Sequence, residues 1–450
     1  MIEFDTWTDE HPRTMQVQWY RDDTLLEEQT YTVDSSSYFC DTQVQAYNKI
    51  VITIGNMTKA SRHLKIFNIS DGISRQFYND ELENVEIIEE ITSNNKALNI
   101  NEADLTILPT NTRGVQFQRT LPFEIYRNGV LYGKFFIDTS TSNTYKTLYN
   151  LKVSDYIKIL ESQSYLGGIY TNVTVSSLVA DILGDIPYEL DAPLGAYTLN
   201  GYLPILTKRQ ALQEIAFATN SFINTTRNNK IIIKPLPTKR YREVYTSEIL
   251  SIQTTQKNIV TKIQVDTNQL TQKVVEAEEI YKQALNGTDV VIFDSPKYDL
   301  SISGGSIVSS NINYAIISGT GSTVTLSGKS YEEITITTEK ENEYTVSTDI
   351  ENIEKYETTL TCNNINILDY LKFVEYKIKS QFKMANTKIG DIIELDNTIC
   401  RVMQLNYDLK QTEIYADVEL EQYYGDYEYL IATENNVIIA TENSEDLEVE

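Results

Sequence analysis

The side chains that most often carry enzyme chemistry are few in this chain and widely spaced. There are two histidines, His11 and His63, and three cysteines, Cys40, Cys362 and Cys400. No C-x-x-C pairs the thiols. Their odd number and wide spacing argue against a disulfide framework or a zinc site and leave three buried or idle thiols. So few imidazoles offer little material for a general base or a metal ligand. Neither G-x-S-x-G nor H-E-x-x-H occurs. The nearest approach to a phosphate loop is TVTLSGKS, Thr323 to Ser330, which ends in Gly328-Lys329-Ser330. Thr323 stands where that loop needs its first glycine, and the following YEEITITT is strand-like. The converging backbone N–H groups and helix N-terminus of a phosphate site are therefore missing.

Adjacent carboxylates occur at Glu89-Glu90 and at Glu332-Glu333. A glycosidase pair must face one site about 5 to 9 Å apart. Neighbours on a strand point to opposite faces, so these pairs are expected to be acidic strand edges that resist mispairing. The glycines of SYLGGIYTN, Gly167 and Gly168, are expected to end a helix and turn the chain. No residue is assigned a catalytic, cofactor-binding or metal-binding role. A carboxylate-only hydrolase is the one enzymatic alternative left open.

The elements that would have to position any such groups are mostly strands. The 450 residues exceed one core, so two to four domains are expected. The formal charge of −26 argues against nucleic acid and against an anionic membrane surface. No apolar run is long enough for a membrane helix, and the polar start MIEFDTWTDE is no signal peptide, which points to synthesis in a cytoplasm. Tyrosine occurs 31 times. With frequent Thr and Ile it suits half-buried strands, and it is favoured where proteins meet.

In chain order, residues 1–78 alternate as a small β-sandwich-like module, with Met15, Val17 and Trp19 on one face. Residues 79–150 continue in longer strands, with a hairpin from Phe123 to Ile137 turning at Asn128-Gly129. Residues 151–240 form an α/β insert. Helical periodicity begins near Val153, with Ile157 and Leu160 on one side. Val175, Leu178, Val179, Ile182 and Leu183 mark a second buried helix face, and Leu212, Ile215, Ala216 and Thr219 a third. Thr207 and Gln210 have the capping-box spacing, and a hairpin turns at Asn228-Asn229.

Residues 241–362 are expected to hold short strands at regular turn spacing, as in a barrel or sandwich. Over 363–425 the stripe Ile367, Leu371, Val374, Ile378 and Phe382 predicts a long helix from Ile365 to Lys383, capped by Asn364. Three closing strands follow, with turns at Asp396-Asn397 and Leu409 to Gln411. Residues 426–450 form an acidic tail in which IATEN occurs twice, Ile431 to Asn435 and Ile439 to Asn443, and a strand-like hairpin or solvated tail is expected there.

Taken together, this order resembles the baseplate-hub and tail-associated proteins of tailed bacteriophages, contractile injection systems and phage-tail-like bacteriocins. The similar features are D-Y-I-K-I-L-E (Asp155 to Glu161), G-G-I-Y with the helix after it (Gly167 to Leu183), and G-Y-L-P-I, T-K-R-Q-A-L-Q-E-I-A and I-I-I-K-P (Gly201 to Pro235). They end with G-D-I-I-E-L (Gly390 to Leu395) and N-Y-D-L (Asn406 to Leu409). The resemblance covers about residues 80 to 425, and residues 1–78 are similar to an N-terminal β-sandwich module of some such proteins from Gram-positive phages.

The resemblance implies a β-rich α+β multidomain fold, with two β-barrel hub domains, the α/β insert and the N-terminal module. It implies a homotrimer at the distal end of the tail in the virion. That trimer would match a six-fold tail tube to a three-fold spike or tip during assembly and host attachment. Its partners would be the distal tail protein or tube, the tape-measure protein and the central spike. No cofactor, lytic domain, nucleic-acid recognition or membrane anchor is implied. The alternative is a carbohydrate-binding adhesin or glycan hydrolase at the tail tip, with Trp7 and Trp19 as sugar-stacking candidates, although both suit a core as well.

Overall fold

The computed structural model describes residues 2–4, 10–38, 47–58, 64–69, 77–92, 97–109, 122–143, 147–225, 227–272, 274–342, 352–374, 376–423, 430–432 and 438–440, with single positions at 40, 42, 44, 94 and 117. The chain is β-rich, 60% strand against 11% helix. It divides into two compact units, Met1–Tyr78 and Asn79–Glu450.

In the first unit, strand Thr14–Arg21 lies between Thr24–Thr32 and Lys49–Ile54, all antiparallel. A second small sheet places Ile2–Phe4 between Ser37–Tyr38 and Ile66–Ile69. The alternation of TMQVQWYR decides which side chains go inward. Met15, Val17 and Trp19 are buried and share one core with Ile2, Phe4, Tyr31 and Val33.

The second unit is built on a large sheet. Its main row runs Ile249–Gln256, Tyr376–Lys383, Tyr415–Gln422, Thr398–Asp408, Leu82–Glu90, Glu102–Ile107, Tyr149–Ser154, Val130–Ser142 and Pro122–Arg127. Ile392–Leu395 and Arg240–Val244 join it to one side, bringing the sheet to eleven strands. The hairpin turns lie where turn chemistry puts them. Asn128 and Gly129 have φ of 50° and 78°, and Asp396 and Asn397 have φ of 49° and 61°. These are left-handed conformations that Asn, Asp and Gly adopt at least cost.

Among the described residues none of the sheets closes into a barrel, although barrels were expected. Alternation fixes which face of a strand is buried but carries no information on closure. The main row instead ends in two edge strands, Ile249–Gln256 and Pro122–Arg127.

The insert matches its periodicity closely. Val175–Leu183 is a helix with Thr174 as its cap, and Val175, Leu178, Val179, Ile182 and Leu183 are all buried. Lys208–Thr219 is a helix opened by the full Thr207–Gln210 capping box. The Ser221–Asn224 and Ile231–Pro235 strands form the hairpin. The first helix begins later than expected, at Tyr156, because Val153 belongs to the preceding strand.

The predicted helix from Ile365 to Lys383 is not there. A four-residue helix, Ile367–Tyr370, capped by Asn366 rather than Asn364, is followed by strand Tyr376–Lys383. Val374, Ile378 and Phe382 are spaced by four, which is consistent with a helix turn and also with every second step of a strand. In YKIKSQFK the buried Ile378, Ser380 and Phe382 alternate with Lys377, Lys379 and Gln381, and the strand period prevails.

Of the short strands expected after residue 278, Lys297–Ser303 and Gly305–Ser310 are present, and the others are longer. Tyr314–Glu341 is one 28-residue strand. Its first part pairs with Glu278–Ile292 on one side and with Lys297–Ser303 and Gly305–Ser310 on the other. Its second part pairs with Lys262–Gln272. In the C-terminal segment Leu430–Ala432 and Ile438–Ala440 pair antiparallel, as a strand-like hairpin would; the rest of both IATEN copies lies outside the described residues.

Candidate functional site

The groups with possible chemistry fall in separate places. Gly328-Lys329-Ser330 lies within the long strand. A Cβ on Gly328 would meet Leu300 and Ile280, so this glycine makes room for core side chains. Lys329 pairs with Asp299 at 2.7 Å, and the Ser330 hydroxyl donates to Glu278 at 2.7 Å. Glu333 accepts from the Tyr202 hydroxyl at 3.0 Å, which ties the insert to the long strand. His11 is buried in the N-terminal unit with Nδ1 3.0 Å from the Pro12 carbonyl; His63 lies outside the described residues. Cys362 and Cys400 are free thiols, and burial pushes Cys400 up to about 12; Cys40 is half-buried. Trp19 is a core residue, and Trp7 lies outside the described residues. Among the described residues no group of three or more His, Cys, Asp or Glu is placed to hold a metal.

Gly167 does not end a helix, because the preceding helix stops at Glu161 with Ser162 as its cap. Its φ is +64°, and a Cβ there would stand 2.1 Å from the Leu203 carbonyl oxygen. Asn311 donates to the Gly167 carbonyl at 2.9 Å, and Asn313 to those of Leu166 and Leu203 at 2.8 and 2.9 Å. The glycine thus allows a close backbone crossing that roots the long-strand region on the insert.

The Glu89-Glu90 pair departs most from expectation. It is not at an edge. Leu82–Glu90 is an interior strand, paired with Glu102–Ile107 and Thr398–Asp408. Glu89 is 1% exposed. Parity would have found it, because Val85, Ile87 and Glu89 share a face and the first two are core. Its Oε1 accepts from the Tyr407 hydroxyl at 2.7 Å, and its Oε2 has no partner. Burial raises its pKa to about 7, opposed by Arg227 and by the Tyr407 hydrogen bond.

A second buried carboxyl, Asp155, caps the Tyr156–Glu161 helix. It accepts from Ile157 N at 3.0 Å, from Asn101 N at 3.2 Å and from the Thr225 hydroxyl at 2.6 Å. Burial raises it to about 6 against these bonds. Both carboxyls line one narrow cleft with no room for a water molecule, walled also by Tyr132 and Phe135. Ordinary ligand pockets hold about 300 to 1,000 Å³, so this cleft is not one of them.

No protein-family model matches the chain, and neither does any curated protein. Solved structures do. The 43 kDa tail protein of prophage MuSo2 from Shewanella oneidensis is similar at 8% identity over 75% of this chain and 93% of that one, with a TM-score of 0.46. The tail protein from Neisseria meningitidis MC58 is similar at 10% identity over 76% and 92%, with a TM-score of 0.46. Prophage tail protein gp18 from Listeria monocytogenes EGD-e is similar at 9% identity over 81% and 92%, with a TM-score of 0.43. The neighbours are tail proteins.

What the surface offers in place of a pocket is apolar strand. On the edge strand Ile249–Gln256, Leu250 is 60% and Ile252 45% exposed. Tyr126 on the opposite edge strand is 58% exposed, and Ile334 and Ile336 stand out from the long strand. No helix among the described residues is long and apolar enough to cross a membrane.

Proposed function

We propose that this chain is a structural hub at the distal end of a phage or phage-like tail, working through its interfaces. Three copies form a ring that fits a six-fold tail tube on one face and a three-fold spike or tip on the other, during assembly in the host cytoplasm and at host attachment. The distal tail protein or tube, the tape-measure protein and the spike are its partners. The observation that carries this reading is the open main sheet, whose edge strand Ile249–Gln256 exposes Leu250 and Ile252 and, among the described residues, pairs with a strand on one side only. A long exposed edge with apolar side chains is a liability in a monomer and a ready interface in an assembly. A closed three-fold ring would cover such edges and leave none free.

Sedimentation over a range of concentrations tests the proposal, alone and with the tail-tube protein co-expressed. A species of three times the 51.5 kDa chain mass is expected. A clean monomer under both conditions would overturn it. The glycan-binding alternative loses its N-terminal candidate Trp19 to the core, and binding of isolated protein to cell-wall polysaccharide would revive it.

A further inference from the structure

In an Asn-Gly dipeptide the glycine nitrogen can attack the asparagine side-chain amide with no glycine Cβ to hinder it. Three such dipeptides occur here, Asn128-Gly129, Asn200-Gly201 and Asn286-Gly287, and the fold treats them differently. Asn200-Gly201 is locked. The Asn200 amide accepts from Asn172 N at 2.8 Å and donates to Asn363 Oδ1 at 2.7 Å. Gly201 lies in Thr198–Leu203 between Tyr170 and Leu360, so close to the Thr359 carbonyl that a Cβ would not fit. Asn286-Gly287 is exposed but lies inside strand Glu278–Ile292, where its residues pair with Thr320 and Gly319. Asn128-Gly129 shares neither restraint. It is the two-residue turn between Pro122–Arg127 and Val130–Ser142, and both residues are exposed. Among the described residues, no hydrogen bond holds the Asn128 side chain or the Gly129 N–H.

We propose that Asn128 is a site of spontaneous deamidation, which places a negative charge at the tip of this hairpin and loosens the edge strand Pro122–Arg127. The Gly129 nitrogen gives up its proton to hydroxide and bonds to Asn128 Cγ. The Cγ–Nδ2 bond then breaks, and Nδ2 leaves as ammonia after taking a proton from water. Water opens the resulting cyclic imide at Cγ or at the main-chain carbonyl, giving aspartate or isoaspartate. The net change consumes one water, releases ammonia and exchanges an amide for a carboxylate. Isoaspartate also adds a methylene to the main chain. A two-residue turn has no slack for it, because turn length fixes the register of both strands. The register at stake sets Arg127 opposite Val130. Arg127 also pins this end of the edge, donating to the Gln411 and Thr412 carbonyls at 2.7 and 2.9 Å.

Ageing the full chain in mildly acidic and mildly alkaline buffer tests the site, read by peptide mass spectrometry with isoaspartate marked by an isoaspartate methyltransferase. Deamidation should be faster at Asn128 than at Asn286. It should be slower at Asn200 by about tenfold or more, because that side chain must first give up two hydrogen bonds. The rate at Asn128 should rise with pH, since the attacking nitrogen must lose its proton. Hydrogen exchange over 122–127 should speed up in the aged chain. It should stay unchanged in Asn128→Gly aged alongside, which suits the same turn and has no amide to lose. An unreacted Asn128, or reaction at Asn200 or Asn286 as fast as at Asn128, would overturn the proposal. So would unchanged exchange over 122–127 once Asn128 has become isoaspartate.

Discussion

At the scale of single residues, two buried carboxyls set the response of stability to pH. Glu89 is raised from 4.5 to about 7 and Asp155 from 3.8 to about 6. The folded chain therefore holds protons that the unfolded chain has released. Their contribution is fully present below the unfolded values and is lost as pH rises through the folded ones. For Glu89 alone the difference is about 3 kcal/mol. Urea unfolding should thus show greater stability near pH 5 than near pH 8 from this group, and Glu89→Gln should flatten that slope. Ile215 makes a simpler case. It is wholly buried in the insert core, so Ile215→Asp, like Leu178→Asp, should unfold the insert, with loss of helical circular dichroism. The two helix faces were legible because their periods ran unbroken for two turns or more. Glu89 was equally legible by parity, since Val85 and Ile87 on its face are core.

At the scale of elements, the turns and caps were the most readable features. Asn128-Gly129, Asp396-Asn397 and the Thr207–Gln210 box are local chemistry, decided within four residues. Tyr376–Lys383 was not readable in this way, because an apolar spacing of four fits either period, and its partners lie more than thirty residues away on both sides. The glycines separate local from non-local demand. Gly129→Ala meets open space and should cost only the left-handed backbone, about 1 kcal/mol. Gly167→Ala adds a clash with the Leu203 carbonyl to the same backbone cost and should lose more than about 2 kcal/mol. Thermal melts of the two variants side by side check the order.

For the whole molecule, the proposed assembly turns on the open edges. Ile252→Lys puts a charge on an already exposed edge, so monomer stability should change by less than about 0.5 kcal/mol. The same change should prevent assembly, because a lysine there resists edge-to-edge pairing. Sedimentation and urea melts on one preparation separate the two effects. Openness was invisible in the sequence, since closure depends on how far a sheet twists and not on any one strand's pattern.

The pairing of Leu82–Glu90 with Thr398–Asp408 has a consequence for biosynthesis. Tyr407 and Glu89 are 318 residues apart in sequence. On the ribosome, the N-terminal unit and the insert's helices can pack from local contacts while the chain is still growing. The interior of the main sheet cannot. Its strand at Leu82–Glu90 must wait, one side unpaired, until nearly the whole chain has emerged. Folding should therefore be slow in its last step, and that interval is when a half-made sheet is most open to misassociation with other nascent copies.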